Sequence, residues 1–380
     1  MGMRFLSSGL LTTVQDAGRR GYQRFGVPVS GAVDQEALTI ANILVDNAPD
    51  EAALEITLMG PMIEFDSDCV IALAGADLSA SLNGKPLASG KAAEVSAGDS
   101  LSFGAPRCGS RAYLAVAGGF DLEPVMGSRS TYLKAKMGGL EGRKIEKDDV
   151  ISFREQISTL PHMAARTAKQ TDFSQPEKKV RVILGPQNDA FTFDGIRTFV
   201  KKKYTVTPES DRMGMRLTGP AIEHEACGAD IISDGISLGA VQVPGNGTPI
   251  IMLADRQTTG GYTKIATVIT ADLPLVAQSK PGDVISFEQV SVEQGEELYL
   301  EQRERFEQLR QQIQNGEVEQ EQRTAVSKEE QDSPPATPKP AKESVPVPAI
   351  PVALPAAPGE SHSYTIELNG RSFNCTVKRL

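Results

Sequence analysis

One polar segment, which we predict to form a single loop, interrupts an otherwise apolar stretch of the sequence, and its side chains suit the handling of an amide or a carboxylate. It runs Asp255-Arg256-Gln257-Thr258-Thr259-Gly260-Gly261-Tyr262, between the apolar runs 249–254 and 264–269. Two hydroxyls, a fixed cation and backbone N–H groups left accessible by the glycines could stabilise a carboxylate or a developing oxyanion. The alternative is a solvated hairpin. We predict catalytic residues at Asp255, Arg256, Thr258 and Thr259, and ligand contacts at Gly260, Gly261 and Tyr262.

Three further glycine-punctuated segments, 12–22, 210–217 and 241–249, carry amides, carboxylates and arginines of the same kind. Such side chains are costly to place in a core and ordinary in a ligand site. The second segment is equally consistent with a structural ion pair at a turn, and the third with a plain hairpin loop. The residues that we predict to contact a ligand are Gln15, Asp16, Arg19, Asp211, Arg212, Gly214 and Gln242.

The sequence contains no motif typical of a histidine-dependent, metal-dependent or nucleotide-binding active site. Histidine occurs at only three positions, and no Ser-His-Asp elbow, Cys-His pair or H-E-x-x-H pattern is present. His224 has acidic neighbours, but strand alternation would send those side chains to opposite faces, so no metal site is predicted. Because a P-loop and a strand-borne G-x-G-x-x-G are both missing, we expect no familiar ATP site on this chain.

Composition narrows the class of protein further. The 380 residues carry a formal charge of -10 without a basic run, so a nucleic-acid partner is not expected. Four scattered cysteines argue against a disulfide framework, which fits a cytoplasmic location. Neither a signal peptide nor an apolar run long enough to cross a membrane is recognisable. Thirty-five glycines, 24 prolines and no tryptophan favour short strands joined by tight turns.

The predicted strands and helices divide the chain into two lobes and a tail. Turn pairs precede alternating apolar strands at 97–103, 147–153 and 281–287, which predicts a mainly β fold with a few helices. Asp34 is expected to cap a helix through Leu44. The predicted divisions are an N-terminal β lobe (1–155), a linker (156–178), a C-terminal β lobe (179–290), a helix (291–316), a disordered Pro/Ala-rich linker (317–360) and a hairpin (361–380).

The four polar segments, taken in order with 26–34 and 54–57, resemble the carboxyltransferase-domain family from about Leu6 to Phe287. Its members include subunits of ATP-dependent 5-oxoprolinases and allophanate hydrolases and the transferase region of urea carboxylases. The resemblance implies a two-lobed, cyclophilin-like β-barrel architecture. It also implies a paralogous partner subunit of the same family and, in the 5-oxoprolinases, a lactam-utilisation subunit.

The resemblance favours an enzyme subunit that acts on 5-oxo-L-proline and gives L-glutamate, with ATP used by the complex at a site on another chain. In this interpretation Asp255 orients or deprotonates the amide, and Arg256 and Arg212 hold a carboxylate. Thr258, Thr259 and the glycine backbone would stabilise an oxyanion.

Two alternatives stay open. One is transfer of a carboxyl group from carboxybiotin to urea or another small amide, with a biotin carboxylase and carrier as partners. The hairpin 361–380 is similar to the opening strands of a biotin carrier but lacks its Met-Lys-Met, so a partner would have to carry the biotin. The other is a regulatory protein that binds a partner subunit or a kinase inhibitor.

Overall fold

The computed structural model describes residues 1–318 together with the backbone of residues 361–368 and 371–378. This part of the chain is mainly β and includes four α-helices and a closed seven-stranded barrel, so the predicted fold class is confirmed. The chain forms two compact units, Met1–Glu321 and Gln322–Leu380. Apart from residues 317 and 318, the predicted linker 317–360 lies outside the described residues.

The first half of the larger unit contains two antiparallel sheets. The first has the strand order β11-β1-β4-β9-β6-β7 and the second β2-β3-β10-β5-β8. Alternate apolar side chains from both sheets meet in one core. The strands are β1 (Gly2–Ser7), β2 (Leu11–Gln15), β3 (Ala53–Thr57), β4 (Met62–Phe65), β5 (Cys69–Asp77), β6 (Ser81–Leu82), β7 (Lys85–Pro86), β8 (Lys91–Val95), β9 (Ser100–Ser102), β10 (Cys108–Val116) and β11 (Val150–Ser152).

The second half is built around the barrel. Its strand order is β12-β19-β16-β17-β14-β13-β20, and it closes because β20 pairs in parallel with β12. A two-stranded ribbon of β15 and β18 accompanies the barrel. The strands are β12 (Glu177–Leu184), β13 (Lys203–Val206), β14 (Gly214–Thr218), β15 (Asp230–Gly235), β16 (Ala240–Gln242), β17 (Ile250–Met252), β18 (Thr259–Tyr262), β19 (Lys264–Val268) and β20 (Val284–Gln289).

Four α-helices cover the sheets: α1 (Gln35–Leu44), α2 (Phe193–Lys201), α3 (Leu273–Ala277) and α4 (Val292–Asn315). Asp34 caps α1 as predicted, because its Oδ1 accepts a hydrogen bond from the N–H of Ala37 at 3.0 Å. The apolar stripe of α4 packs against α1 through Leu309 and Ile313. The second sheet of the first half is therefore buried on both faces, by the first sheet and by α1.

Gln278, which follows α3, joins the two halves of the larger unit. Its Oε1 accepts hydrogen bonds from the N–H groups of Ser110 (2.9 Å) and Arg111 (3.0 Å) in β10. Its Nε2 donates to Oδ2 of Asp34 at 2.7 Å, so the residue that caps α1 also ties the barrel to the first half. This contact fixes the orientation of the loops that meet between the halves.

The described part of the tail consists of β21 (Ser361–Leu368) and β22 (Arg371–Lys378). The two strands pair antiparallel with Leu368 opposite Arg371. The Asn-Gly turn between them lies outside the described residues. The similarity to a biotin carrier stays a prediction.

Candidate functional site

Asp255 lies where the two halves meet, and groups from both halves hold its carboxylate. Ser30, from the first half, donates its hydroxyl to Oδ1 at 2.5 Å. Arg212, from the turn before β14, donates from Nε to Oδ2 at 2.9 Å and from Nη2 to Oδ1 at 3.1 Å. Asp255 is buried, with 6% of its surface exposed. Its orientation is therefore set by three charge-assisted hydrogen bonds.

A second buried carboxylate completes the surroundings of Arg212. Nη1 of Arg212 donates to Glu55 in β3, and Nη2 also donates to the carbonyl oxygen of Gly31 at 2.6 Å. Glu55 accepts further hydrogen bonds from the hydroxyl of Tyr113 (2.6 Å) and the N–H of Val33 (2.9 Å). Burial alone would raise the pKa of Glu55, but the Arg212 guanidinium lowers it overall. We call Glu55, Arg212 and Asp255 the ion triad.

The ion triad changes the role expected for Arg212. Burial lowers the pKa of Arg212, but Glu55 and Asp255 together raise it above its usual value. Its guanidinium is bound to two carboxylates and a carbonyl oxygen, and 6% of the residue is exposed. The prediction that Arg212 holds a ligand carboxylate does not fit this arrangement, because four of its five N–H donors are engaged inside the protein. Arg212 instead positions Asp255.

Ser30 reaches Asp255 from an uncommon backbone conformation. Its φ is 59°, in the left-handed region that few non-glycine residues adopt, and Gly31 follows with φ 86°. A Cβ on Gly31 would lie 2.8 Å from the backbone nitrogen of Gly18, so the close approach of the two loops requires glycine. Backbone hydrogen bonds from Ala32 N to Asp16 O (2.9 Å) and from Arg19 N to Val29 O (2.8 Å) hold these loops together.

Asp16, predicted to contact a ligand, instead organises the turn that contains residues 128–130. Its Oδ1 accepts from Gly18 N and from the hydroxyl of Ser128, both at 2.7 Å, and its Oδ2 accepts from Arg129 N at 2.5 Å. The hydroxyl of Ser130 donates to it as well. With four donors on one carboxylate, Asp16 holds loops in place and has little capacity left for a ligand.

Gln15 and Arg19 are both fully buried beside this turn. Arg19 Nη2 donates to the carbonyl oxygen of Ser130 at 2.5 Å, and Gln15 Nε2 donates to that of Thr131 at 3.1 Å. Among the described residues, Arg19 Nη1 and Gln15 Oε1 find no hydrogen-bond partner. Burial lowers the pKa of Arg19, which nearby Asp16 and Asp255 partly offset. Both side chains lie on the first-half side of the site.

Arg256 is buried without an acidic partner. Its Nε donates to the carbonyl oxygen of Ile236 at 3.0 Å and its Nη1 to that of Leu253 at 3.2 Å. Burial lowers the pKa of Arg256 to about 10, and the charge of Arg20 contributes to the shift. No carboxylate lies within 4.0 Å of it in the described part of the chain. An uncompensated buried cation of this kind favours an anionic ligand.

The prediction of one continuous loop from Asp255 to Tyr262 is wrong. Residues 259–262 form β18, in which Thr259 pairs with Gly235 and Gly260 with Asp234 of β15. Pairing with a single partner strand engages alternate N–H groups of this extended Thr-Gly-Gly-Tyr backbone, so a continuous run of free N–H donors is not available. Thr258 and Gly261 are half-buried and Thr259 is exposed. The oxyanion role expected for these residues stays a prediction.

A cleft of about 650 Å³ opens on the second half, and no residue of the ion triad lines it. Met213 and Gln257, which line it, are chain neighbours of Arg212 and Arg256. Asp211 shapes its rim, since its Oδ1 accepts from the N–H groups of Met213 (2.8 Å) and Gly214 (3.1 Å). The predicted residues that line this cleft are Asp211, Gly214, Gln242 and Tyr262. A cavity of about 330 Å³ between α1 and α4 contains no predicted site residue.

Sequence reasoning missed several residues around Asp255. Ser30 and Glu55 belong to segments 26–34 and 54–57, which carried the family resemblance but showed no polar clustering of their own. Tyr132 was also missed; burial raises its pKa and the Asp255 carboxylate raises it further. The only available signal was the resemblance itself, because a single Ser or Glu between apolar residues does not indicate a site.

In residues 1–318, no cluster of three or more His, Cys, Asp or Glu side chains is arranged to hold a metal ion. His224 instead hydrogen-bonds through Nε2 to Val243 O and to Thr263 Oγ1, both at 3.1 Å. None of the helices in the described part of the chain is long and apolar enough to cross a membrane.

The chain belongs to the carboxyltransferase-domain family, whose model "Carboxyltransferase domain, subdomain A and B" matches residues 25–289. The resemblance seen in the sequence is thereby confirmed. A 5-oxoprolinase subunit of Escherichia coli (strain K12) is 39% identical over 307 residues, which cover 81% of this chain and 97% of that protein.

Larger relatives contain the same region as a segment. The urea amidolyase of Lachancea kluyveri is 36% identical over 315 residues, covering 77% of this chain and 17% of that protein. The crystal structure of the K. lactis urea amidolyase matches with a TM-score of 0.75 at 33% identity, covering 81% of this chain. This chain spans 20% of the length of that structure. The names of these relatives describe enzymes or enzyme subunits that act on small amides.

Proposed function

We propose that this chain is a subunit of an ATP-dependent 5-oxoprolinase complex, which opens the lactam of 5-oxo-L-proline to L-glutamate as ATP is hydrolysed. The observation that carries the proposal is the similarity to the E. coli 5-oxoprolinase subunit along 97% of its length. The match to urea amidolyase, in contrast, covers 17% of that enzyme. A paralogous family subunit and a lactam-utilisation subunit are the proposed partners, and ATP is handled on one of them.

The ion triad gives Asp255 a specific role in this proposal. Oδ1 already accepts from Ser30 and Arg212, whereas Oδ2 accepts only from Arg212 and has one lone pair left. That lone pair can accept the N–H of a lactam and hold the ring in one orientation. Orientation of this kind lowers the barrier without a histidine base. Thr258 and Thr259 are proposed to face the carbonyl oxygen as charge develops on it.

Reconstitution of the complex tests this role. The chain is co-expressed with its two proposed partners, and glutamate release from 5-oxo-L-proline is measured with ATP present. Asp255→Asn should lower kcat/KM by about 10² to 10³, as expected for a polar group aimed at the reacting centre. Asp272→Asn is the control, because Asp272 is an equally buried carboxylate whose partner, Arg181, lies in the barrel wall. The assignment fails if both variants retain the same activity.

A second candidate is biotin-dependent carboxyl transfer to urea or another small amide. The TM-score of 0.75 with the K. lactis urea carboxylase structure favours it. In that case a partner carries carboxybiotin, and the Asp255 carboxylate faces the amide nitrogen that receives the carboxyl group. Labelled bicarbonate distinguishes the two functions: incorporation of label into an amide product with a biotin carboxylase and carrier supports transfer, whereas glutamate release supports lactam opening.

A further inference from the structure

Four arginines belong to the segments around Asp255, and they differ in their partners. They are Arg19, Arg20, Arg212 and Arg256. Arg256 is largely buried, and proteins rarely bury a cation without a counterion, so a buried arginine that lacks one indicates where an anion binds.

Arg20 and Arg256 have no ion-pair partner among residues 1–318. Arg212 forms ion pairs with both Glu55 and Asp255. Asp16, which lies beside Arg19, accepts hydrogen bonds from the turn at 128–130. Arg256 donates only to two backbone carbonyl oxygens. The exposed side chain of Arg20 takes part in no hydrogen bond or ion pair with residues 1–318.

The loops bring these two arginines together from opposite halves of the larger unit. Arg19 N donates to Val29 O at 2.8 Å, and the next residue, Ser30, reaches Asp255 at 2.5 Å. Arg20 follows Arg19 in the chain, and Arg256 follows Asp255. Burial lowers the pKa of Arg256, and the charge of Arg20 lowers it further. An anion between them would remove this repulsion.

We propose that Arg20 and Arg256 together bind the carboxylate of the substrate and so select lactams that carry one. This inference rests on the proposed function, because 5-oxo-L-proline has a carboxylate beside its ring nitrogen. Guanidinium groups match a carboxylate with paired N–H donors, and here one cation would come from each half. Asp255 would then face the adjacent lactam N–H.

Steady-state kinetics of the reconstituted complex test the proposal. Because Arg20 is exposed, Arg20→Gln should fold normally. Loss of one charge-assisted contact should raise the KM for 5-oxo-L-proline about ten- to hundred-fold and change kcat less than about threefold. The KM for ATP should stay constant. The matched control is Arg24→Gln, which removes an exposed arginine from the same loop, where it stacks on Phe25 at 4.7 Å. Its KM values should equal those of the unmodified chain.

Each result has a distinct meaning. If Arg20→Gln behaves like Arg24→Gln in an active complex, the carboxylate site is wrong but the proposed function stands. If Arg20→Gln raises the KM for ATP and not that for 5-oxo-L-proline, the pair binds phosphate, which also overturns the inference. A folded complex of unmodified chains that releases no glutamate refutes the proposed function, and this inference with it.

Discussion

Replacing Glu55 by alanine should destabilise the protein by about 3–5 kcal/mol, because it breaks a fully buried ion cluster from one side. Glu55 is 1% exposed and accepts from Arg212, Tyr113 and the N–H of Val33. Its removal leaves Arg212 with a single carboxylate and leaves two neutral donors without a partner. Each such orphan donor costs about 1–3 kcal/mol, which water entering the vacated space partly offsets.

Urea denaturation followed by far-UV circular dichroism measures this effect, since the chain has no tryptophan to serve as a probe. With a slope of about 3 kcal/mol/M, the expected loss moves the midpoint by about 1 M or more. The control is Glu177→Ala, which breaks an exposed ion pair with Lys203 and should cost less than about 1 kcal/mol. If Glu55→Ala shifts the midpoint no more than Glu177→Ala, the ion triad does not stabilise the junction between the halves.

Two further predictions concern the neighbours of the ion triad. Because φ of Ser30 is 59°, the Ser30→Gly variant should be about 1 kcal/mol more stable than Ser30→Ala. Both variants should nevertheless lose glutamate release, because both lack the hydroxyl that donates to Asp255. A fully active Ser30→Gly variant would contradict this prediction. Burial raises the pKa of Asp34 to about 6, above its unfolded value of about 3.9, so the folded protein binds more protons between these values. Stability should therefore fall by about 2 kcal/mol as pH rises from 4 to 6. Urea midpoints of Asp34→Asn, which cannot titrate at this position, should lack this pH dependence, and equal pH slopes in both proteins would refute the prediction.

Sequence patterns were informative where structure is local. Helix α1 begins directly after Asp34, because the side chain of Asp34 accepts a hydrogen bond from the N–H of Ala37, three residues later. Both partners of this contact lie within one helical turn, so a local sequence pattern can predict it. The predicted strand entries at 97–103, 147–153 and 281–287 lead into β9, β11 and β20 for the same reason. The polar segment that begins at Asp255 and Arg256 also lies at the boundary between the two halves.

The rest of the site depends on contacts that no local pattern encodes. Ser30 and Asp255 are 225 residues apart, and Glu55 and Arg212 are 157 apart. Because Arg212 pairs with Glu55, its guanidinium is occupied inside the protein. This pairing does not fit the predicted role of Arg212 in holding a ligand carboxylate. Pairing of β18 with β15 likewise converts half of the predicted loop into a strand. Residue types indicated which chemistry was possible, and tertiary contacts decided which side chains remained free for it.

Burial along the cluster separates residues that support the site from residues that contact a ligand. Glu55 is 1% exposed, Arg212 and Asp255 are each 6% exposed, Arg256 is 9% exposed and Arg20 is exposed. A change at the buried end removes charge compensation and acts mainly on the free energy of unfolding. A change at the exposed end leaves the fold intact and acts mainly on KM. Comparing Glu55→Ala with Arg20→Gln in both assays therefore reveals whether the ion triad is the support of a binding site or only an internal salt bridge.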